Sequence, residues 1–213
     1  MTPRVVPFGE SALLVELGDD FTDDVVNWAR DIADHWETVA RLGPAVPAYA
    51  SALLRFDPLR TAPADAEKVA RTMLAHGAPT PVAADQPRRV VEVPTTYDGP
   101  DLAETAERSH LSVAELVTLH AAREYTAYFL GFLPGTAYCG RLDPRIVAPR
   151  LERPRERVPA GSVAIADGQT IVYPLTSPGG WRLIGRTELA MFDPTADEPV
   201  RIRAGDRVRF IPL

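Results

Sequence analysis

The chain has 213 residues, 46% of them hydrophobic and 24% charged, a composition that makes a folded globular protein and excludes wholesale disorder. Its net charge of −6 and sequence pI near 5.3 lack the overall positive field that nucleic-acid binders use. The N-terminus, MTPRVVPFGE, has no basic segment leading into an apolar run, and no stretch approaches the ~18 apolar residues of a membrane span, so no nucleic acid and no membrane is expected as a partner and a cytoplasmic location is.

Taken in chain order, Ser11 to Leu17 reads as a strand. Thr22 to Trp36 then places Val25, Trp28, Ala29 and Ile32 at helical spacing behind a Thr22 N-cap, with Asp23 and Asp24 in the first turn. Tyr49 to Phe56 reads as another strand, ending at Asp57-Pro58. Pro63 opens a second helix with Ala66, Val69, Ala70, Met73 and Leu74 facing inward and Gly77 ending it. Alternating elements of this kind predict a small N-terminal α/β sandwich, hence an α+β chain. Residues 78–87 hold three prolines and no periodicity, and read as a linker. The domain boundary is placed there, with 1–80 as one domain and 88–213 as the other.

Beyond it, Arg88 to Pro94 reads as a strand, and Pro100 and Ser112 start helices, the second with a capping box of Ser112 and Glu115. Further strands are predicted over 126–133, 161–166, 170–175, 181–184, 189–192 and 207–211, separated by Gly, Pro and Asp turns. Short strands so spaced predict a closed or nearly closed β-barrel.

Four features can carry chemistry. The stretch GFLPGTAYCG, 131–140, packs three glycines around Phe132 and Tyr138, and reads either as a tight barrel corner or as a place where backbone approaches a ligand. The turn Ser177-Pro178-Gly179-Gly180 leads into Trp181, and its amides can cradle an anion. Arg141, Arg145, Arg150, Arg153, Arg155 and Arg157 form an arginine-rich strip suited to carboxylates or phosphates, or to ordinary solvation. Gln169 and Arg186 stand where strands begin or end, and can converge on one mouth of the barrel. Cys139 is the single cysteine, which excludes an intrachain disulfide and a Cys-x-x-Cys site. The four histidines lack metal-ligand spacing, so no metal is assigned, and His120 is expected to be a hydrogen-bonded structural residue. Ser162, in AGSVA, lacks a nucleophile elbow, and no Walker A loop, Rossmann fingerprint or biotin-carrier motif is present.

Taken together and in order, YDGPDL at 97–102, GFLPG at 131–135, LDPR at 142–145, VPAGSVAIADGQT at 158–170, YPLTSPGGWRLIGRT at 173–187 and AGDRVRF at 204–210 resemble the KipI-like family, also called the 5-oxoprolinase B subunit or allophanate hydrolase subunit 1 (carboxyltransferase domain, subdomain C and D). FGESALLVELG at 8–18 and LLRFDPLR at 53–60 extend the likeness towards the N-terminus. The resemblance implies that the second domain is a cyclophilin-like β-barrel. It implies membership of an ATP-dependent 5-oxoprolinase complex that cleaves 5-oxo-L-proline to L-glutamate, the chain being inactive alone. Its partners would be the larger, cyclophilin-like 5-oxoprolinase C subunit (allophanate hydrolase subunit 2-like) and the lactamase or A subunit. ATP with Mg2+ would enter in the assembled complex, none being bound by this chain alone. Arg150, Arg155, Gln169, Ser177, Gly179, Gly180 and Arg186 are the expected substrate or ATP contacts, while no catalytic residue is assigned. The alternatives are a regulatory protein that inhibits a histidine kinase, and a carboxyltransferase component of a biotin-dependent urea or amide carboxylase.

Overall fold

A computed structural model describes residues 2–19, 22–77 and 89–213. The chain divides into two compact units, Met1–Gln86 and Pro87–Leu213. The predicted linker over 78–87 lies outside the described residues.

The first unit holds β1 (Arg4–Pro7), β2 (Ala12–Glu16), α1 (Asp23–His35), β3 (Ala45–Pro47), β4 (Ser51–Arg55) and α2 (Pro63–Ala75). Its four strands form an antiparallel sheet in the order β1-β2-β4-β3. Thr22 caps α1 as expected, its hydroxyl accepting from the Val25 amide, and Pro63 opens α2. Alternation along the strands turns Val5, Leu13, Val15, Ala52 and Leu54 to one face, where they share a core with Ala29, Ile32 and Trp36 and with Ala66 and Ala70 of α2. Trp36 opens a π-helical turn, Trp36–Ala40, that continues α1, and its indole N–H donates to the Arg55 carbonyl at 2.8 Å. β3 was not expected, and prolines bound it at Pro44 and Pro47.

The second unit contains β5 (Val90–Thr95), α3 (Leu102–Arg108), α4 (Val113–Ala121), β6 (Glu124–Leu130), β7 (Ala137–Gly140), β8 (Arg155–Val158), β9 (Ser162–Ala166), β10 (Gln169–Val172), β11 (Ser177–Gly179), β12 (Arg182–Arg186) and β13 (Arg207–Pro212). Seven strands make one sheet, in the order β12-β9-β10-β7-β6-β13-β5, while β8 and β11 form a separate two-stranded ribbon. The edges β5 and β12 approach each other. A bridge, Thr96 with Arg186, exchanges hydrogen bonds of 2.9 Å in both directions, and the amides of Gly99 and Asp101 then donate to Ile184 and Leu183. The sheet is therefore a nearly closed barrel. Gly99 and Gly185 permit the closure, since a Cβ at Gly99 would meet the Leu183 carbonyl and one at Gly185 would lie 2.5 Å from the Thr96 oxygen. The strand expected over Leu189–Phe192 does not form. There the Leu189 amide donates to the Thr187 hydroxyl, and only the bridge Phe192 with Val200 pairs.

Ser112 and Glu115 form the expected capping box of α4. That helix delivers His120 to the core, where it is fully buried against the rings of Tyr97, Tyr125 and Phe210. One ring nitrogen meets the Tyr97 hydroxyl at 2.7 Å and the other the Thr170 hydroxyl at 2.9 Å, which satisfies a neutral imidazole with one donor and one acceptor. Burial lowers its pKa to about 3.

The sign of the resulting pH dependence follows from linkage. Between the ordinary value of 6.5 and about 3, the unfolded chain binds a proton that the folded chain refuses. The stability that His120 contributes is complete above pH 6.5 and is lost as pH falls through that window. Lowering the pH from 7 to 5 is expected to cost about 2 kcal/mol through this group. Urea unfolding at both pH values should show that loss in the wild type, and a correspondingly smaller loss in His120→Gln.

Candidate functional site

The barrel sheet has two apolar faces. On one, Val163, Ile165, Val172 and Ile184 join the main core with α3 and α4. On the other, the alternate residues Ala164, Ala166, Ile171 and Leu183 pack with Val158, Tyr173 and Trp181, and Tyr138 leans against them. Most of the expected contacts gather on this second face.

Trp181, at the mouth of β12, carries the Arg150 guanidinium 5.7 Å above its ring, and Tyr138 meets the same ring edge-on at 5.8 Å. Phe129 stacks on Tyr138 at 4.7 Å. Each such contact is worth on the order of 1 kcal/mol beyond area burial, so Arg150 lies over the end ring of a shelf in which Tyr138 and Phe129 back Trp181. Its Nε donates to Asp167 at 2.8 Å, and Asp167 with Gly168 forms the β9–β10 turn, both at positive φ. The Gly180 carbonyl accepts from the Leu151 amide at 2.7 Å, which ties the strip to the turn.

Arg155 comes from β8 of the ribbon. Its Nη2 donates at 2.7 Å to Asp101 Oδ1, while Asp101 Oδ2 accepts from the Leu183 amide at 2.7 Å. One buried carboxylate thereby fixes a guanidinium and the β12 backbone together. Arg155 Nη1 and the Ser177 hydroxyl are buried and make no hydrogen bond among the described residues, which leaves two donors available to an acceptor. Gly179 lies opposite Arg155 in the ribbon, and a Cβ there would strike the Tyr173 hydroxyl. Burial raises the pKa of Tyr173, a backbone hydrogen bond from Trp181 acts the other way, and the charges of Arg150 and Arg155 also lower it. A protonated phenol beside two guanidinia is a donor set for a carboxylate or phosphate.

Arg150, Arg155, Ser177, Gly179 and Gly180 are thus brought together. Gln169 is buried at the start of β10, on the strand face that carries Ile171 and Tyr173. Arg186 is at the far end of β12, paired with Asp98 at 2.9 Å and Glu188 at 3.0 Å. The registers Gln169 with Ala166 and Arg186 with Ser162 set these two at opposite ends of β9, so they do not share a mouth. Sequence reasoning missed Asp101, Tyr173 and Asp167. Asp101 had no signal beyond its place in YDGPDL, whereas alternation along β10 would have put Tyr173 on the face of Gln169. Among the described residues no group of three His, Cys, Asp or Glu side chains is placed to hold a metal ion, and no helix is long and apolar enough to cross a membrane. In the first unit, a groove of about 680 Å³ between α1 and α2 is lined by Trp28, Ile32, Val69 and Met73; it holds none of the expected contacts.

Residues 3–202 match the family described as carboxyltransferase domain, subdomain C and D. The chain belongs to this family. The 5-oxoprolinase B subunit of Bacillus subtilis (strain 168) is 36% identical over 222 residues, 99% of this chain and 92% of that protein. The 5-oxoprolinase B subunit of Escherichia coli O157:H7 is 51% identical over 127 residues, only 58% of either chain, so that match spans little more than half the length of the relative. Among solved structures, TTHA0988 is 36% identical with a TM-score of 0.81, over 95% of this chain and 40% of its own. The Kluyveromyces lactis urea amidolyase is 17% identical with a TM-score of 0.75, over 99% of this chain and 15% of its own, a likeness of fold.

Removing the carboxylate that joins ribbon and barrel is expected to be costly. Asp101→Ala should destabilise the chain by about 2–3 kcal/mol. In a double-mutant cycle with Arg155→Ala, read by urea unfolding, the two changes should fall short of additivity by about 1 kcal/mol.

Proposed function

We propose that this chain is the B subunit of an ATP-dependent 5-oxoprolinase, acting with a larger cyclophilin-like protein and a lactamase protein to open 5-oxo-L-proline to L-glutamate. The observation that carries the reading is the end-to-end likeness to the Bacillus subtilis 5-oxoprolinase B subunit, 36% identical over 99% of this chain. In the same proposal the two units are domains, the second a cyclophilin-like barrel following an N-terminal α/β sandwich, and the location is cytoplasmic.

The residues support a contributing role. A lactam is unreactive because its nitrogen shares its lone pair with the carbonyl, so opening it needs the carbonyl oxygen to be activated, and ATP with Mg2+ supplies that chemistry in the complex. The shelf of Arg150, Arg155, Tyr173 and Ser177 is suited to holding an anion, either the substrate carboxylate or a phosphate.

The test is glutamate release from 5-oxoproline by the three purified proteins. Release is expected only with all three and ATP, and Arg150→Ala is expected to lower kcat/KM at least tenfold, about 1.4 kcal/mol, without loss of assembly. No ATP-dependent release from the wild-type complex would sink the proposal.

A further inference from the structure

The turn between β6 and β7 is built from two locked pieces. The Leu133 amide donates to the Gly131 carbonyl at 2.9 Å, and Phe132 between them has φ +71°. That is the rare, strained form of γ-turn. Leu133-Pro134-Gly135-Thr136 follows as a β-turn, with the Thr136 amide donating to the Leu133 carbonyl at 3.0 Å, proline at the second place and Gly135 at φ +85°. The Gly131 amide closes the loop onto the Thr136 carbonyl at 3.1 Å.

The loop is also wedged in place. A Cβ at Gly135 would come within 2.9 Å of Phe192 Cβ and 3.2 Å of Pro174 Cβ, and Thr136 is fully buried. A rigid, packed loop thus holds a bulky aromatic in a left-handed conformation, which a non-glycine side chain adopts only at a cost. The ring is not buried in return, since Phe132 is 61% exposed. Leu175, next to the Pro174 against which the loop packs, is 38% exposed. The Phe129 ring, stacked on Tyr138, lies at the foot of the loop, 3.7 Å from a Cβ built at Gly131. The apolar edge therefore runs from Phe132 back to the Trp181 shelf.

Strain at a residue whose own ring the chain leaves largely exposed points to a contact outside it. A ring that projects from the surface suits a socket on another protein better than a small molecule, which is held in concave sites, and projecting aromatics are the usual anchors of protein interfaces. In TTHA0988 the segment matching this chain is 40% of the polypeptide, so there the counterpart is joined to further protein. We propose that the Gly131–Gly135 turn is a preformed docking knob that seats Phe132 in an apolar socket of the larger partner protein, beside the arginine shelf. This rests on the complex proposed above and adds the surface by which it forms.

Phe132→Gly separates docking from folding, because glycine accepts positive φ without strain. Its urea-unfolding midpoint is expected at or above the wild-type value, while its Kd for the purified larger partner, read by calorimetry, rises at least tenfold. Phe132→Leu keeps an apolar side chain and is expected to lose less affinity. An unchanged Kd in Phe132→Gly, with the wild type binding, overturns the docking role and leaves the proposed function standing. A lowered midpoint of the glycine variant also overturns it, by making Phe132 a residue of the chain's own fold. A wild-type chain that does not bind the larger partner overturns the proposed complex along with the knob.

Discussion

The second unit depends on how the β12 edge finds its hydrogen bonds. A seven-stranded sheet leaves two edges, and each unpaired edge is a row of exposed donors and acceptors. Here the chain leaving β5 runs back along β12. Thr96 pairs with Arg186, the Gly99 amide reaches Ile184, and Asp101 meets Leu183 with both its amide and its carboxylate. The approach is so close that Gly99 and Gly185 cannot carry side chains without moving backbone. The carboxylate that completes this closure also holds Arg155. The barrel and the cationic shelf therefore share a fastening, and the arginine is oriented by the same atom set that shuts the sheet.

Strand periodicity then divides labour between the two faces. Residues of one parity fill the barrel and surround the neutral, buried His120, whose low pKa makes that core intolerant of protons. Residues of the other parity support Tyr138, Tyr173 and Trp181, with Arg150 lying over the Trp181 ring, while the β8–β11 ribbon brings Arg155 and Ser177. Because the period is two, a slip of one residue in β10 would exchange the faces of Thr170 and Gln169. It would cost the core its partner for His120 and the shelf its Tyr173. The register is thus fixed from both sides.

What could be read from the sequence was local. The Thr22 cap, the proline start of α2 and the Ser112–Glu115 capping box each involve residues a few positions apart, and each appears as expected. Arg150, Arg155, Ser177, Gly179 and Gly180 could be picked out because arginine forks and glycine turns advertise themselves by residue type. Arg186 carries the same advertisement but is held by Asp98, 88 residues earlier, and no local pattern shows that. The ribbon strands β8 and β11 were illegible for a similar reason: RERV and SPG have no alternation of their own and become strands only by pairing with each other. Leu189–Phe192 failed in the opposite sense, apolar enough for a strand but with no neighbouring edge to join.

The unit thus joins a core whose buried histidine is fully matched to a face with unspent capacity. Within the barrel, even the polar atoms of His120, Tyr97 and Thr170 are matched to one another. On the shelf, Arg155 Nη1 and the Ser177 hydroxyl are out of water yet make no hydrogen bond among the described residues, and beside it the turn around Phe132 holds strain without burying its ring. Each such group raises the free energy of the isolated chain by about 1–3 kcal/mol. Marginal stability is on the order of 5–15 kcal/mol, so the departures are not negligible. They lie where strand register and turn geometry hold them rigidly, which is the condition under which strain and unmet donors turn into affinity for a ligand or a second chain instead of relaxing away.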